Sequence, residues 1–512
     1  MATGAACGAH GAHRPSGAAT APDAGWPLFG GTADNTRYSA LRQIDASNVS
    51  SLRVAWSRGE GFGQSTWESF PIVVGSTMYL TTSTDTVWAL NAVTGALRWS
   101  YAPVVDFFRP GSGSGVTFPA NRGVAVADGR VYELTLDCRL LALDAATGRL
   151  LWQVQVADPG QGYYETTAPA VWDGIVFAGS SGGDSGARGF IAAYSGRTGR
   201  ELWRRYTVPA PGHGWVPATG HHGGGAVWMP PVIDSSTGIL YAGTGNPSPD
   251  FTGAQRPGAD PDTDGILALR ARTGALVWFT SLVGHDVSDY DAASPVVLLR
   301  SVNAVGEAGK SGLFSLLDAA TGRALHPPVR FVTTGSAGTV TCPGELGGSN
   351  YSPLAYDPPA RAVYASGIDY CGSYHPGGAP ASSSHRAGAP DMGGSVQPAQ
   401  ANASGTFTAI DPATAAVRWQ RATQAPMLGG ATAAGGLVFA GSVSGILYAF
   451  DAASGQVHWQ RNLGAGLGSA PVVYAVGGRE YLAVVSGGAA ISAINQLGPV
   501  GGRLYVFSLP SS

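Results

Sequence analysis

The stretch GHDVSDYDA, from Gly284 to Ala292, places Asp286, Asp289 and Asp291 within six residues. The chain as a whole is only 12% charged, about half the charge of an average soluble protein. Carboxylates packed this closely repel unless a cation or a proton-transfer task keeps them there. The plain alternative is a solvated acidic turn, because Asp readily bonds its own backbone. Other chemistries find less support. His213, His221 and His222 in GHGWVPATGHHGGG fit no tetrahedral zinc spacing and read as rim-loop histidines. No Ser-His-Asp order stands out. The glycine runs do not follow a strand-to-helix pattern, so they do not make a nicotinamide fingerprint.

These residues need a scaffold, and one phrase recurs along the chain to provide it. VWALNAVTGALRW ends at Trp99, LLALDAATGRLLW at Trp152, IAAYSGRTGRELW at Trp203, ILALRARTGALVW at Trp278, FTAIDPATAAVRW at Trp419 and LYAFDAASGQVHW at Trp459, while LFSLLDAATGRAL runs from Leu313 to Leu325. Each is an alternating strand with one buried face. An Asx turn follows, with Gly at the positive-φ position. A second short strand then ends in Trp, which is expected to pack between neighbouring sheets. A further strand pair, such as FPIVVGSTMYLTT or APAVWDGIVFAGS, precedes most phrases. Four short strands per unit, repeated, predict an all-β, eight-bladed β-propeller of four-stranded antiparallel blades. Seven phrases are visible, and LYVFSL near the C-terminus paired with LRVAW near the N-terminus would form the eighth sheet and close the ring. Closure leaves no blade with an open edge. The longer spacings, Trp203 to Trp278 and Leu325 to Trp419, are rich in Gly, Pro, Ser and His and are placed on the faces of the disc.

The totals agree with such a ring. A chain of 512 residues with Gly 76 and Trp 13 is too long for one simple core unless it repeats. Net charge is -3, and no Lys/Arg run is long enough to grip a nucleic-acid backbone. No apolar run is long enough to span a bilayer. Residues 1–24 read as a disordered lead-in and 25–512 as the propeller domain. The N-terminus, MATGAACGAHGAHRPSGAATAPDAG, has neither a basic n-region nor an apolar h-region. Either a leader was removed before Met1 and the protein is periplasmic or secreted, or it stays inside. Cys342 and Cys371 flank a strand pair whose antiparallel return can bring their ends together. A disulfide there is one of two open options, and it would favour an oxidising compartment. Cys138 reads as a buried strand thiol.

From GWPLFGGTADNTRYSALRQIDASNVSSLRVAW onward, including Asn35, Arg37 and Ser39, the chain resembles the quinoprotein alcohol dehydrogenases, which use pyrroloquinoline quinone (PQQ) and carry tryptophan-docking repeats. The repeats alone are shared with propellers that serve as protein-interaction scaffolds, for instance in outer-membrane protein assembly, so a non-catalytic scaffold is the alternative reading. The discriminating residues lie between the repeats. By this resemblance Glu68 in WESFP, Arg122 in NRG, Thr166 in ETTAP, and Ser181, Gly182 and Gly183 in GSSGGDSGARGF would contact the quinone. Trp228 in GGGAVWMPP would form the floor beneath it, and Lys310 in KSGLFSLLD would meet its oxygens. Asp184, where the family usually has glutamate, Asn246 in GTGNP, Asp289 and Asp291 would bind a calcium or lanthanide ion. Asp289 would be the catalytic base.

Each residue type suits the part the resemblance assigns. PQQ is a planar tricarboxylate, which an indole face holds by stacking and Arg or Lys neutralises, Arg by forking onto a carboxylate. Glycines allow close backbone approach, and oxygen donors suit a hard cation. In an extended segment Asp289 and Asp291 would point to one face, with Asp286 outside the site as a turn residue. In the family, an aspartate at the position of Asp291 is associated with lanthanide use. The implied reaction oxidises an alcohol, small or polymeric, to a carbonyl compound. Asp289 would take the hydroxyl proton, and a metal ion would act as Lewis acid. With no C-x-x-C-H in the chain, electrons would leave to an external acceptor such as a cytochrome c. The sequence departs from the family where SGVTFPANRG lacks an adjacent cysteine pair, leaving Phe118 as the candidate cover. It departs again at Met427 and Ser288, each standing for a Trp, and at Asp369, standing for an Asn. These changes imply a wider pocket or a looser cofactor.

Overall fold

The computed structural model describes residues 21–60, 67–105, 119–210, 212–214, 223–254, 256, 258–377, 389–487 and 501–510. Its strands form nine sheets, eight of which are the blades of a propeller. Blade one runs from Ile72–Val74 to Leu97–Tyr101, two from Ala125–Ala127 to Leu150–Gln155, and three from Ala170–Trp172 to Glu201–Tyr206. Blade four runs from Val232–Asp234 to Leu276–Ser281, five from Val297–Leu299 to Val329–Arg330, and six from Ala355–Asp357 to Ala416–Thr423. Blade seven runs from Ala431–Ala434 to Val457–Asn462. Blade eight joins Val472–Val476, Arg479–Ser486 and Arg503–Ser508 to the early strand Arg53–Gly59, with Trp56 opposite Val506. The two ends of the chain therefore close the ring, as the sequence predicts. The lead-in expected over 1–24 lies largely outside the described residues, but Ala24 bridges Ala475 and the Ala21 N–H donates to the Gly478 carbonyl at 2.9 Å.

Each blade packs against a neighbour on both faces, so alternate residues of its inner strands enter different cores. In blade three, Val176 and Ala178 pack toward blade two, while Ile175 and Phe177 pack toward blade four. The same arrangement continues round the ring to the cluster in which Val73, Met78 and Leu80 of blade one meet Val485, Leu504 and Val506 of blade eight.

The recurrent Trp and Gly are two halves of one contact. Indole Nε1 atoms donate to carbonyls of the next blade: Trp56 to Ala92, Trp99 to Ala145 at 3.0 Å, Trp152 to Gly196, Trp203 to Ala271 at 2.9 Å, Trp278 to Ala319 and Trp419 to Ala452. The ring lies flat on the turn glycine that follows. A Cβ added to Gly148 would come within 2.5 Å of Trp99, and one on Gly274 within 2.6 Å of Trp203. These glycines thus serve a positive φ (+73° and +68°) and an indole seat at once. The Asx half of the turn is also present: Asp144 Oδ1 accepts from the Ala146 and Thr147 N–H groups at 3.1 and 2.9 Å.

Two features stand outside the repeat. Arg37 is fully buried and plugs the N-terminal segment into blades seven and eight. It donates to the carbonyls of Phe29 at 2.7 Å, Ala431 at 3.0 Å and Pro471 at 2.8 Å. The ninth sheet, made of Gly335–Ala337, Val340–Cys342, Gly372–Pro376 and Gly394–Pro398, arises from the insertions around and within blade six. A Cys342–Cys371 disulfide ties it, resolving the option left open by the sequence. Cys138 is buried, as expected.

Candidate active site

First strands of successive blades touch one another around the axis, so loops entering and leaving them converge at one end. Glu68, Thr166 and Trp228 each stand four residues before a first strand, at Ile72, Ala170 and Val232. Arg122 stands three before Ala125. Ser181–Asp184, Asn246 and Lys310 follow the second strands of blades three, four and five. These residues, with Asp291, line one cavity of about 410 Å³. Asp289 does not itself line it, but its Oδ1 lies 2.7 Å from Lys310 Nζ, which does. The structure thus brings together every residue expected at the site.

Two charged clusters divide the cavity. In the first, Arg122 pairs with Glu68 at 2.7 Å and donates to Thr166 Oγ1 at 2.5 Å, and Thr166 is 3.1 Å from Ser181 Oγ. The guanidinium carbon lies 4.9 Å from the Trp228 ring centre and 4.7 Å from that of Tyr351, so it is sandwiched by cation–π contacts. Burial raises the Glu68 carboxyl, and Arg122 opposes that shift. Gly182 cannot carry a side chain: its φ is +99°, and a Cβ would fall 2.2 Å from the Gly162 carbonyl oxygen.

In the second cluster, Lys310 Nζ lies 2.7 Å from Asp289 and 2.9 Å from Asp291. Asp291 Oδ1 also accepts the Asn246 N–H at 2.5 Å, and the Asn246 carboxamide donates to Asp250 Oδ1 at 2.8 Å. Burial raises Asp289 well above the usual carboxylate range, reinforced by Asp291 and Asp184 and opposed by Lys310. Burial would lower Lys310, but Asp289, Asp291 and Asp184 overcome it and hold the ammonium charged. Asp184 lines the cavity and keeps accessible surface.

The Asp289 loop reaches this geometry by an unexpected route. It is not extended, and Asp289 sits at φ +62°. Asp286 makes the turn by accepting the Ser288 N–H at 2.9 Å and the Tyr290 N–H at 2.7 Å. The Tyr290 hydroxyl then donates to the Pro343 carbonyl at 2.5 Å, and Tyr374 to the Ser288 carbonyl at 3.1 Å. The ninth sheet therefore clamps the loop from outside. Both carboxylates reach the same ammonium through a turn, not through strand alternation, and Asp286 stays outside the site as expected.

The donor chemistry fits a hard cation beside a planar anion. Asp289 and Asp291 pair with one ammonium, Asp184 and Asp250 lie within its field, and Asp250 Oδ2 is buried with no hydrogen-bond partner. An uncompensated buried carboxylate oxygen is costly and is what a cation would relieve. Among the described residues, no three His, Cys, Asp or Glu side chains already converge on a metal position; Asp289 and Asp291 are turned onto Lys310 instead. For the planar anion, Trp228 and Tyr351 offer ring faces and Arg122 and Lys310 offer charge.

Asn350 and Tyr351 also line the cavity and were not foreseen. A signal was present, because Tyr351 stands four residues before Ala355, the slot Glu68, Thr166 and Trp228 occupy in their blades. Met427 holds that slot before Ala431, but it is fully buried in the core between blades six and seven and is not part of the cavity lining. Asp369 binds the Thr333 N–H at 3.1 Å away from the cavity. His213 is exposed. Phe118, His221 and His222 lie outside the described residues.

Residues 26–333 match the family described as glucose/ethanol/alcohol dehydrogenase, beta-propeller domain, and residues 398–498 match the one described as outer membrane protein assembly factor BamB. The quinone-dependent alcohol dehydrogenase, dehydrogenase subunit, of Gluconacetobacter polyoxogenes is 31% identical over 90% of this chain and 71% of its own. The quinohemoprotein alcohol dehydrogenase of Comamonas testosteroni is 31% identical over 96% of this chain and 76% of its own. The structure is similar to that of a europium-containing methanol dehydrogenase, with a TM-score of 0.84 and 28% identity, covering 95% of this chain and 98% of that one.

Proposed function

The chain belongs to the PQQ-dependent alcohol dehydrogenase family, and on that premise we propose the division of labour within its site. It is an oxidoreductase that converts an alcohol to a carbonyl compound with PQQ and a calcium or lanthanide ion. The scaffold alternative finds no support in these relatives. When bound, the quinone supplies the two-electron acceptor for the carbinol carbon, and the ion supplies Lewis acidity beside it.

Asp289 is the base. Lys310 engages its Oδ1 at 2.7 Å, which leaves Oδ2 to take the hydroxyl proton. The neighbouring ammonium opposes, without cancelling, the rise that burial imposes on this carboxyl. Trp228 and Tyr351 hold the ring plane, while Arg122, with Thr166 and Ser181 behind it, answers a carboxylate of the cofactor. Glu68 fixes Arg122, and Gly182 and Gly183 keep the wall thin. Asp184, Asn246, Asp289 and Asp291 are the ion's oxygen donors, and the carboxylate count favours a lanthanide over calcium. The observation that carries this reading is one cavity holding both an Arg-aromatic sandwich and a carboxylate cluster in excess of its single ammonium.

The electron acceptor is a cytochrome such as a cytochrome c, a reading supported by the haem-linked relatives. The location is an oxidising compartment, periplasmic or extracellular, for which the Cys342–Cys371 disulfide is the support. Asp289→Asn tests the base: the amide cannot accept the proton, so dye-linked alcohol oxidation falls by about 10²–10⁴-fold while PQQ still binds. Turnover within about tenfold of the parent would remove Asp289 from the role.

A further inference from the structure

Asp250 lies two residues beyond the Asn246-Pro247-Ser248 turn and is completely buried. Its two oxygens have different surroundings. Oδ1 accepts the Asn246 side-chain N–H at 2.8 Å, and Oδ2 has no hydrogen-bond partner. A carboxylate can only accept, so it dictates which end of the neighbouring amide faces it. The Asn246 Nδ2 is therefore turned onto Asp250, with a weaker second contact to the Pro247 carbonyl at 3.4 Å. The carboxamide oxygen is turned the other way, and Asn246 lines the cavity. The Asn246 backbone is held as well, since its N–H donates to Asp291 Oδ1 and its carbonyl accepts from the Gly225 N–H at 2.7 Å. The side-chain oxygen is the one donor of this residue left to a ligand.

We infer that Asp250 is a positioning residue of the cation site: it holds the Asn246 carboxamide with its oxygen toward the cavity, and the bound ion balances the charge left on its own carboxylate. The inference rests on the proposed reading of Asn246 as a ligand and extends it to a residue that reading does not use. Asp250 is buried within the field of Asp184, Asp289 and Asp291, which Lys310, paired with the last two, opposes only in part. An ion of higher charge offsets that crowding better, so Asp250 also raises selectivity for a trivalent over a divalent cation.

Titration calorimetry of La3+ and of Ca2+ into metal-stripped protein with saturating PQQ tests this on the parent, Asp250→Asn and Asp250→Ala. Asp250→Ala loses both the acceptor and the charge, and should bind both ions about 10–100-fold more weakly. Asp250→Asn keeps an oxygen that can accept the Asn246 N–H. It should recover most of the Ca2+ affinity and much less of the La3+ affinity, lowering the La3+/Ca2+ ratio by about tenfold. A residue that merely packs would not move that ratio. Unchanged affinities in Asp250→Ala, or identical losses for both ions in the two variants, would overturn the inference. Asp250→Asn is nearly isosteric and carries the test alone if Asp250→Ala does not fold; an unchanged ratio then overturns it. A parent that binds neither quinone nor ion would overturn this inference together with the function it rests on, whereas a parent that binds both isolates the failure to Asp250.

Discussion

The Trp228 ring centre lies 4.9 Å from the Arg122 guanidinium carbon, and its indole borders the cavity as the proposed floor beneath a planar quinone. Trp228→Ala should weaken PQQ binding by about 1–3 kcal/mol, by analogy with loss of an aromatic stacking platform, measured by quinone titration. An unchanged affinity would reduce Trp228 to a packing residue. At this scale most of the residues lining the cavity were legible one by one, because each sits in a short motif beside a blade strand. Asn350 and Tyr351 share that placement and were overlooked, since neither looks reactive in GGSNYSPLAYD. Asp250 could not be singled out, because an Asp after Pro reads as a turn residue. Its contact with Asn246 exists only once the turn has folded. Asp289 and Asp291 were expected to share one face through strand alternation; instead a turn made by Asp286, invisible to a period-two pattern, brings both onto Lys310.

The blade is the element whose sequence says most about its structure. In most blades a D-x-x-T-G-like turn carries both the Asx bond and the glycine on which the previous blade's Trp rests, so one motif encodes a fold and an interface; Ser195, Arg270 and Ala415 depart from it. This predicts a contrast between two glycines with almost the same backbone. Gly148 (φ +73°) would put a Cβ 2.5 Å from Trp99, whereas Gly129 (φ +70°) has nothing within 4 Å of its would-be Cβ. Gly129→Ala should cost only the backbone term, about 1–2 kcal/mol. Gly148→Ala should cost about 1–3 kcal/mol more from overpacking, and chemical denaturation of the two variants would read the difference. Equal losses would show that the indole seat is not tight. The ninth sheet, in contrast, was not legible. Gly335–Ala337 is exposed along its whole length and Val340–Cys342 only half-buried, so no face alternates. Their pairing relies on the Cys342–Cys371 bridge and on the cover they give to Tyr290 and Ser288.

In the whole molecule, eight interblade cores form a continuous ring that the chain's two ends close, and the ring holds loops from six blades around one cavity. The ring was legible because its repeat is in the sequence. The choice of ion was not, because charge balance depends on how Asp184, Asp250, Asp289 and Asp291 meet Lys310 in three dimensions. The direct test of a PQQ-and-cation dehydrogenase site is reconstitution. Metal-stripped protein is incubated with PQQ and either La3+ or Ca2+, and both the bound quinone's absorption band and dye reduction with a panel of alcohols are followed. The account predicts a quinone band, alcohol-dependent dye reduction, and greater activity with La3+ than with Ca2+, a preference that Asp291→Ala weakens. A protein that takes up no quinone and reduces no dye with any alcohol under either ion would contradict it.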